Sequence, residues 1–377
     1  MKDRQAGFSL IEMLLVIAIF AIIIMAASQS FVPLLSESKQ QSKIAATNIE
    51  GMLGLEVMRR DISHAGYGLY WSSDPKSGPT PSFSYTEVTS ADDLQGSFLN
   101  DAPNDVPRPI VIGAGRGLNG SDRIAVKAMN VATNELSERW TYLYASPIYQ
   151  LATWSPSTEN IGSAEYVIVM RPDQTNRYLH FTKAASGQKF YSKYADVVAS
   201  YDQPDTTSLV FSFGTTAIPK MAFNRADYFI NNTNVPARCA AGTGVLYKAV
   251  VNQVVGATSF QTALPLLDCV ADMQVAYRFD SDGDGYADTA ADAIADQPVD
   301  APTARQIREM RVYILAQEGQ RDRDYTYANN LVRVGEAGIY GRDFDLGATI
   351  TDWQRYRWKM YTLIIEPICL LDWTVNP

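Results

Sequence analysis

Hydrophobic positions run almost unbroken through residues 8–27, and Ser9 and Glu12 are the only polar side chains among them. About 20 apolar residues in helical conformation span a bilayer, so this run predicts a membrane-length helix. From Ser36 the chain turns polar but keeps helix-forming residues. Ile44, Gly51, Leu55, Met58, Ile62 and Ala65 then recur at spacings of seven, four, three, four and three, a stripe along one helical face. Gly66, Tyr67 and Gly68 end the pattern. A single helix over 8–65 would be about 87 Å long, with a kink expected at Pro33.

After Tyr67 the pattern changes to short β-prone runs separated by Gly, Pro, Asn and Asp. Strands are predicted at 109–112, 123–127, 141–144, 166–170, 178–182, 208–213, 244–251, 273–279, 310–316 and 359–365. The expected fold class is α+β: a long N-terminal helix packed on a mainly antiparallel β head. The stretches around 72–108 and 285–302 are long enough to be inserted loops. The expected organisation is a short charged segment over 1–7, a helix over 8–66 with its membrane part at 8–28, and a head over 67–377, with a possible subdivision near 230.

Charge narrows the partners. The 377 residues carry a formal charge of -9, with no Lys/Arg run to neutralise phosphates, so direct nucleic-acid binding is not expected. His64 and His180 are the only histidines, which leaves few groups for proton transfer near neutral pH or for nitrogen-rich metal sites. No nucleophile elbow or phosphate loop is present, and the chain is not expected to be an enzyme. "GRGLNG", residues 115–120, satisfies a dinucleotide-type glycine pattern, but "SDRIAVKAMN" follows and alternates like a strand. That fingerprint needs a helix N-terminus facing the pyrophosphate, so a glycine-rich connection between strands is the expectation.

The densest local chemistry is "DSDGDGYAD", residues 280–288. Asp280, Asp282 and Asp284 alternate, Gly285 permits a sharp turn, the Tyr286 carbonyl can point inward, and Asp288 can act directly or through water. These are the first nine positions of an EF-hand-type loop, and calcium is the cofactor they suggest, in a role that pins a loop. Ala291 stands where a bidentate Glu is expected, and the preceding "MQVAYRF" reads as a strand, so Asp292 or a distant acid would complete the shell. The alternative is a solvated acidic turn. Cys239, Cys269 and Cys369 allow three single disulfides or none. Cys239–Cys269 closes a modest loop in the β region and is the pairing expected, leaving Cys369 as a thiol.

Glu12 discriminates among readings of the N-terminus. Basic Lys2 and Arg4, the apolar core and Ala26-Ala27-Ser28 could form a secretory signal, and 8–27 could be a plain anchor, but neither accounts for a carboxylate inside the span. Gly7-Phe8-Ser9-Leu10-Ile11-Glu12, after a short charged leader and before an unbroken apolar run, resembles the class III signal of type IV pilins and type II secretion pseudopilins. The resemblance implies cleavage between Gly7 and Phe8 by a prepilin peptidase and N-methylation of Phe8. It also implies that Glu12 pairs with the N-terminal amine of a neighbouring subunit. An amine and a carboxylate confined to apolar surroundings attract strongly, and either alone is costly.

Within that superfamily, "GLEVMRRDISHAGYGLYW" (54–71), "ARCAAGTGVLYKAVVNQ" (237–253), "LLDCVADMQVAYRFDSDGDG" (266–285) and "YTLIIEP" (361–367) are similar to a PilW-like minor pilin. The resemblance implies a subunit held in the inner membrane with its head in the periplasm, then assembled into a pilus, at its tip. Other minor pilins, the major pilin and a tip adhesin would be its partners. The alternatives are a pseudopilin of a type II secretion system and a pilin-anchored, calcium-stabilised adhesin.

Overall fold

A computed structural model describes residues 9–73, 85–89, 96–102, 106–132, 134–173, 176–183, 189–254, 260–282, 284–288, 306–338 and 340–370. One helix, α1 (Leu10–Ser63), runs uninterrupted through Pro33. It starts two residues later than the pattern predicts and ends at Ser63, where the turn through Gly66 and Gly68 (φ +81° and +66°) reverses the chain. Left-handed φ values are accessible to glycine without a Cβ clash, so this pair is a suitable stop.

The head is built on a seven-stranded antiparallel sheet. Its strands are β2 (Ile110–Gly113), β3 (Arg123–Ala128), β9 (Asn224–Asn231), β10 (Gly244–Val250), β11 (Leu264–Phe279), β12 (Ile307–Glu318) and β15 (Arg357–Ile365), in the order β15-β12-β11-β10-β9-β3-β2. A smaller sheet contains β1 (Ser72–Ser73), β4 (Trp140–Leu143), β5 (Tyr166–Pro172), β6 (Arg177–His180), β7 (Ser192–Lys193) and β8 (Ser208–Ser212). Apart from β1, it is formed entirely by chain lying between β3 and β9. A hairpin, β13 (Leu331–Glu336) and β14 (Tyr340–Asp345), stands alone. Residue 230 is interior to β9, so the change of sheet falls on either side of residues 140–212 rather than there.

The helical stripe is the side of α1 that meets the large sheet. Leu55, Met58, Ile62 and Ala65 join alternate residues of the strands, among them Ile124, Val126, Tyr228, Met273, Val312 and Ile314, in one buried cluster. Gly54 marks the closest approach: a Cβ there would lie 1.9 Å from the Leu266 carbonyl oxygen, whereas one at Gly51 would meet side-chain atoms, the Leu267 Cδ1 at 2.7 Å and the Tyr361 hydroxyl at 3.9 Å. A buried polar contact reinforces the packing, because Asp61 on α1 binds both the Lys248 ammonium of β10 and the Tyr228 hydroxyl of β9. Burial raises the Asp61 carboxyl above its usual range, and Lys248 and Tyr228 act against that rise.

The opposite face of the large sheet has two coverings. Near β11 and β12 the hairpin packs Val334 and Phe344 on Tyr313 and Leu315, the residues that alternate with the α1-facing set. Near β3 and β9 the covering is charged. Lys127 and Arg225 project to this face and are ion-paired with Glu87, Asp101 and Asp227, with all five side chains at 3 % exposure or less. Burial alone would push Glu87 up, but Lys127 and Arg225 beside it pull its carboxyl down to about 2. A buried pair of this kind is retained only when its remaining hydrogen bonds are satisfied. Here the Asp101 and Ala102 amides donate to Glu87, and Arg225 donates to the Asn100 side chain and the Gly96 carbonyl.

Candidate functional sites: the N-terminal segment and the acidic loop

The first turn of α1 places Glu12 three residues after Ser9, so its carboxylate reaches back to the helix start. The Ser9 amide donates to Glu12 Oε2 at 2.9 Å, which satisfies one of the donors that a helix N-terminus leaves open. An S-x-x-E pattern before an apolar run is the sequence signal for this contact. The carboxylate thus sits at the positive end of the helix dipole, oriented toward the residue that follows Phe8. Gly7 and Phe8 lie outside the described residues. From Leu10 to Gln29 the helix presents apolar side chains outward on every side, with none of that span buried in the chain's own head. A helix segment apolar all round, with none of it buried among the described residues, needs lipid or other subunits as its solvent.

The acidic loop leaves the end of β11. The Asp280 amide donates to the Gln306 carbonyl and the Asp288 amide to the Phe279 carbonyl, which ties both ends of the loop to the base of β11 and β12. Asp280, Asp282 and Asp288 each place a carboxylate oxygen within 4.8 Å of the others. Asp284 is not in that group, since its Oδ1 accepts from the Tyr286 amide at 2.8 Å and its own amide donates to Asp282 Oδ1 at 3.1 Å. The Tyr286 side chain is exposed, and Gly285 turns at φ +90° with open space around it. Ala291 and Asp292 lie outside the described residues.

Two features of this loop have no signature in the residue spacing. Arg308, at the start of β12, approaches Asp280 Oδ2 through Nη2 at 2.9 Å and Nε at 3.1 Å, and the Gly285 amide donates to the same oxygen at 2.9 Å. The most buried carboxylate of the loop therefore already has a cationic neighbour. Ser281 donates to Asp288 through both its hydroxyl and its amide, and these bonds hold the Asp288 carboxyl below its usual range. The donor set is all oxygen, which suits a hard cation such as calcium and excludes a soft-metal site.

Cys239 and Cys269 form a disulfide with Cα atoms 4.9 Å apart, and Cys369 is a half-buried thiol. The bridge joins the loop before β10 to β11 at a point where the β10–β11 register shifts and Cys269 takes a left-handed φ of +57°. The "GRGLNG" segment forms a short turn between antiparallel β2 and β3, with the Gly115 amide donating to the Asp122 carboxylate. Only a three-residue 3-10 turn, Leu118–Gly120, forms there before the strand β3, and the segment lacks the geometry of a dinucleotide site.

Residues 2–28 match the family described as the prokaryotic N-terminal methylation motif. Comparison with curated proteins gives no match, and comparison with solved structures gives none. The matched span includes the leader, Glu12 and nearly all of the outward-facing apolar helix. The motif implies processing by a prepilin peptidase and assembly with other pilins, and the apolar helix fits membrane anchoring before assembly. The chain therefore has the N-terminus of a type IV pilin-like protein, of the pilus or the pseudopilin kind.

Proposed function

We propose that the chain is a minor pilin of a type IV pilus, of the PilW-like type, which joins other minor pilins in a complex at the tip that primes assembly. In this reading the prepilin peptidase cuts between Gly7 and Phe8, Phe8 is N-methylated, and Glu12 sets the register against the amine of a neighbouring subunit. The observation that carries the reading is the methylation motif, joined through one continuous helix to a head of two larger sheets and a hairpin. A repeating filament subunit needs little beyond its packing surfaces, whereas a tip subunit has a free end on which an additional sheet can be accommodated. The second sheet also favours a role in presenting a binding surface, as a pilin-anchored adhesin would. A pseudopilin of a type II secretion system is the alternative within the same class.

Calcium completes the proposal as a structural ion held by Asp280, Asp282 and Asp288, with the Tyr286 carbonyl and Asp284 as further oxygen donors. Three carboxylates within one short loop repel one another unless a cation sits among them, and Arg308 offsets only the first.

Mass spectrometry of the protein from its native membrane fraction, with and without the prepilin peptidase, tests the processing. A mature chain beginning at N-methylated Phe8 and dependent on that peptidase is the expected result. A start at Met1, or a cut near Ser28, would remove the pilin reading. Counting copies per filament then separates a minor from a major subunit, and loss of filaments on deletion separates priming from adhesion alone.

A further inference from the structure

We infer that the smaller sheet carries a binding cleft for an anionic saccharide, a pyranose chain bearing carboxylate or phosphate groups. The cleft has a volume of about 530 Å3, and its described lining residues all fall within 166–218, on or beside the smaller sheet. Its volume falls within the usual range for small-ligand sites, about 300 to 1,000 Å3.

The chain is acidic, yet the lysines of the described head are distributed unevenly. Lys127 and Lys248 are buried in ion pairs and Lys359 pairs with Glu318. The remaining four all lie between residues 183 and 220, and Lys183, Lys189 and Lys193 line the cleft. Asp202 draws on Lys183 at 3.2 Å, in an exposed pair that solvent screens, and Asp196 is the only carboxylate among the described lining residues. The cleft is therefore a local positive site on a negative molecule, suited to an anion.

Aromatic rings and hydroxyls lie between those charges. Tyr166 and Tyr191 line the same cleft, with ring centroids 5.4 Å apart in an edge-to-face arrangement. Hydroxyls of Thr182, Ser192 and Ser200 lie beside them, with Ser192 donating to Ser200 at 3.2 Å. Aromatic faces accept the C–H face of a pyranose, hydroxyls exchange hydrogen bonds with those of the sugar, and ammonium groups meet its acid groups. Three lysines are too few for a nucleic-acid track, where affinity comes from neutralising many phosphates.

The cluster that packs α1 onto the large sheet contains no residue from 140–212. The smaller sheet is thus not needed to hold the helix and is available for recognition. The inference concerns the head alone and does not depend on which filament system the helix enters.

The test is titration of the full-length, detergent-solubilised protein with hexagalacturonate, a phosphomannan oligosaccharide, neutral maltohexaose and oligothymidylate, at low and high salt. At least one acidic saccharide should bind with a Kd on the order of 0.1 to 1 mM, weakening as salt screens the lysines. Which of the two binds identifies the acid group. Both substituted side chains of Lys189→Gln/Lys193→Gln are exposed, so the melting temperature should be retained while affinity falls by about tenfold or more, the loss expected for removing two screened charges. Tyr191→Ala should weaken the same probe. The inference is overturned if neither acidic saccharide binds, if maltohexaose binds as well as they do, or if the double substitution leaves affinity unchanged. Tighter, lysine-dependent binding of oligothymidylate would overturn it in favour of single-stranded nucleic acid.

Discussion

Asp122 shows how one buried carboxylate can link the stability of the head to pH. Its oxygens accept from the amides of Gly115 and Val275 at 2.8 Å and from the Tyr340 hydroxyl at 3.1 Å. Burial nevertheless dominates, helped by the neighbouring Asp272 charge, and the carboxyl is raised to about 6. Asp272 is itself raised by burial against the opposing effect of Arg342. An acid whose pKa is higher folded than unfolded stabilises the protein when protonated. Its contribution is complete below about pH 4 and is lost as pH rises through about 6, a span worth on the order of 2 to 3 kcal/mol. Denaturant midpoints measured from pH 7.5 down to 4.5 should therefore show a component that Asp122→Asn removes. Parallel curves for the two proteins would show that Asp122 is not its source.

At the scale of elements, the contact between α1 and β11 rests on a glycine rather than on an apolar side chain. Alanine at position 54 would gain about 1 kcal/mol of helix propensity and lose more, because its Cβ would collide with a backbone carbonyl that cannot rotate away. Gly54→Ala should lower stability by about 1 to 3 kcal/mol. Gly51→Ala, which meets the movable end of Leu267, should be close to neutral; equal effects on thermal unfolding would contradict this account.

The sequence revealed elements where local signals and burial agree, and concealed them where distant partners decide. All ten predicted strands fall on observed ones, with boundaries shifted by a few residues except at β11, which begins nine residues earlier at Leu264. The interior strand β9 was missed because Asn224, Arg225 and Asp227 argue against a buried strand. Arg225 is tolerated because Asp227 and Glu87, the latter more than a hundred residues away in sequence, both pair with it, and Asn224 donates to the Met129 carbonyl. The hairpin was missed for a related reason: Gly335 and Gly341 face each other in its register, an arrangement that β propensity disfavours and backbone proximity requires. At the acidic loop the alternation of carboxylates is legible from spacing, while Arg308 is not, because only the β11–β12 pairing brings it to Asp280.

For the whole molecule, the acidic loop offers a direct measure of how an ion contributes to stability. It joins β11 to β12, the two longest strands of the sheet that receives α1. If calcium occupies the loop with millimolar or somewhat tighter affinity, saturation should stabilise the head by about 1 to 2 kcal/mol, or roughly 2 to 6 °C in melting temperature. Chelator should remove that increment from the wild type and leave Asp280→Ala unaffected. An unchanged wild-type melting temperature would count against a structural ion.

The register of the large sheet also bears on how such a head can diversify. Ala128, the last residue of β3, is paired with Asn224, the first residue of β9, so the chain leaves for the smaller sheet and returns from it across one rung of the ladder. Closing a segment whose ends are already adjacent costs an amount that grows only with the logarithm of its length, about 0.6 kcal/mol for each doubling. Residues 129–223 thus behave as a cassette between two fixed posts. Related chains could lengthen, shorten or exchange what lies there with little entropic penalty, while the strands that receive the helix keep their register.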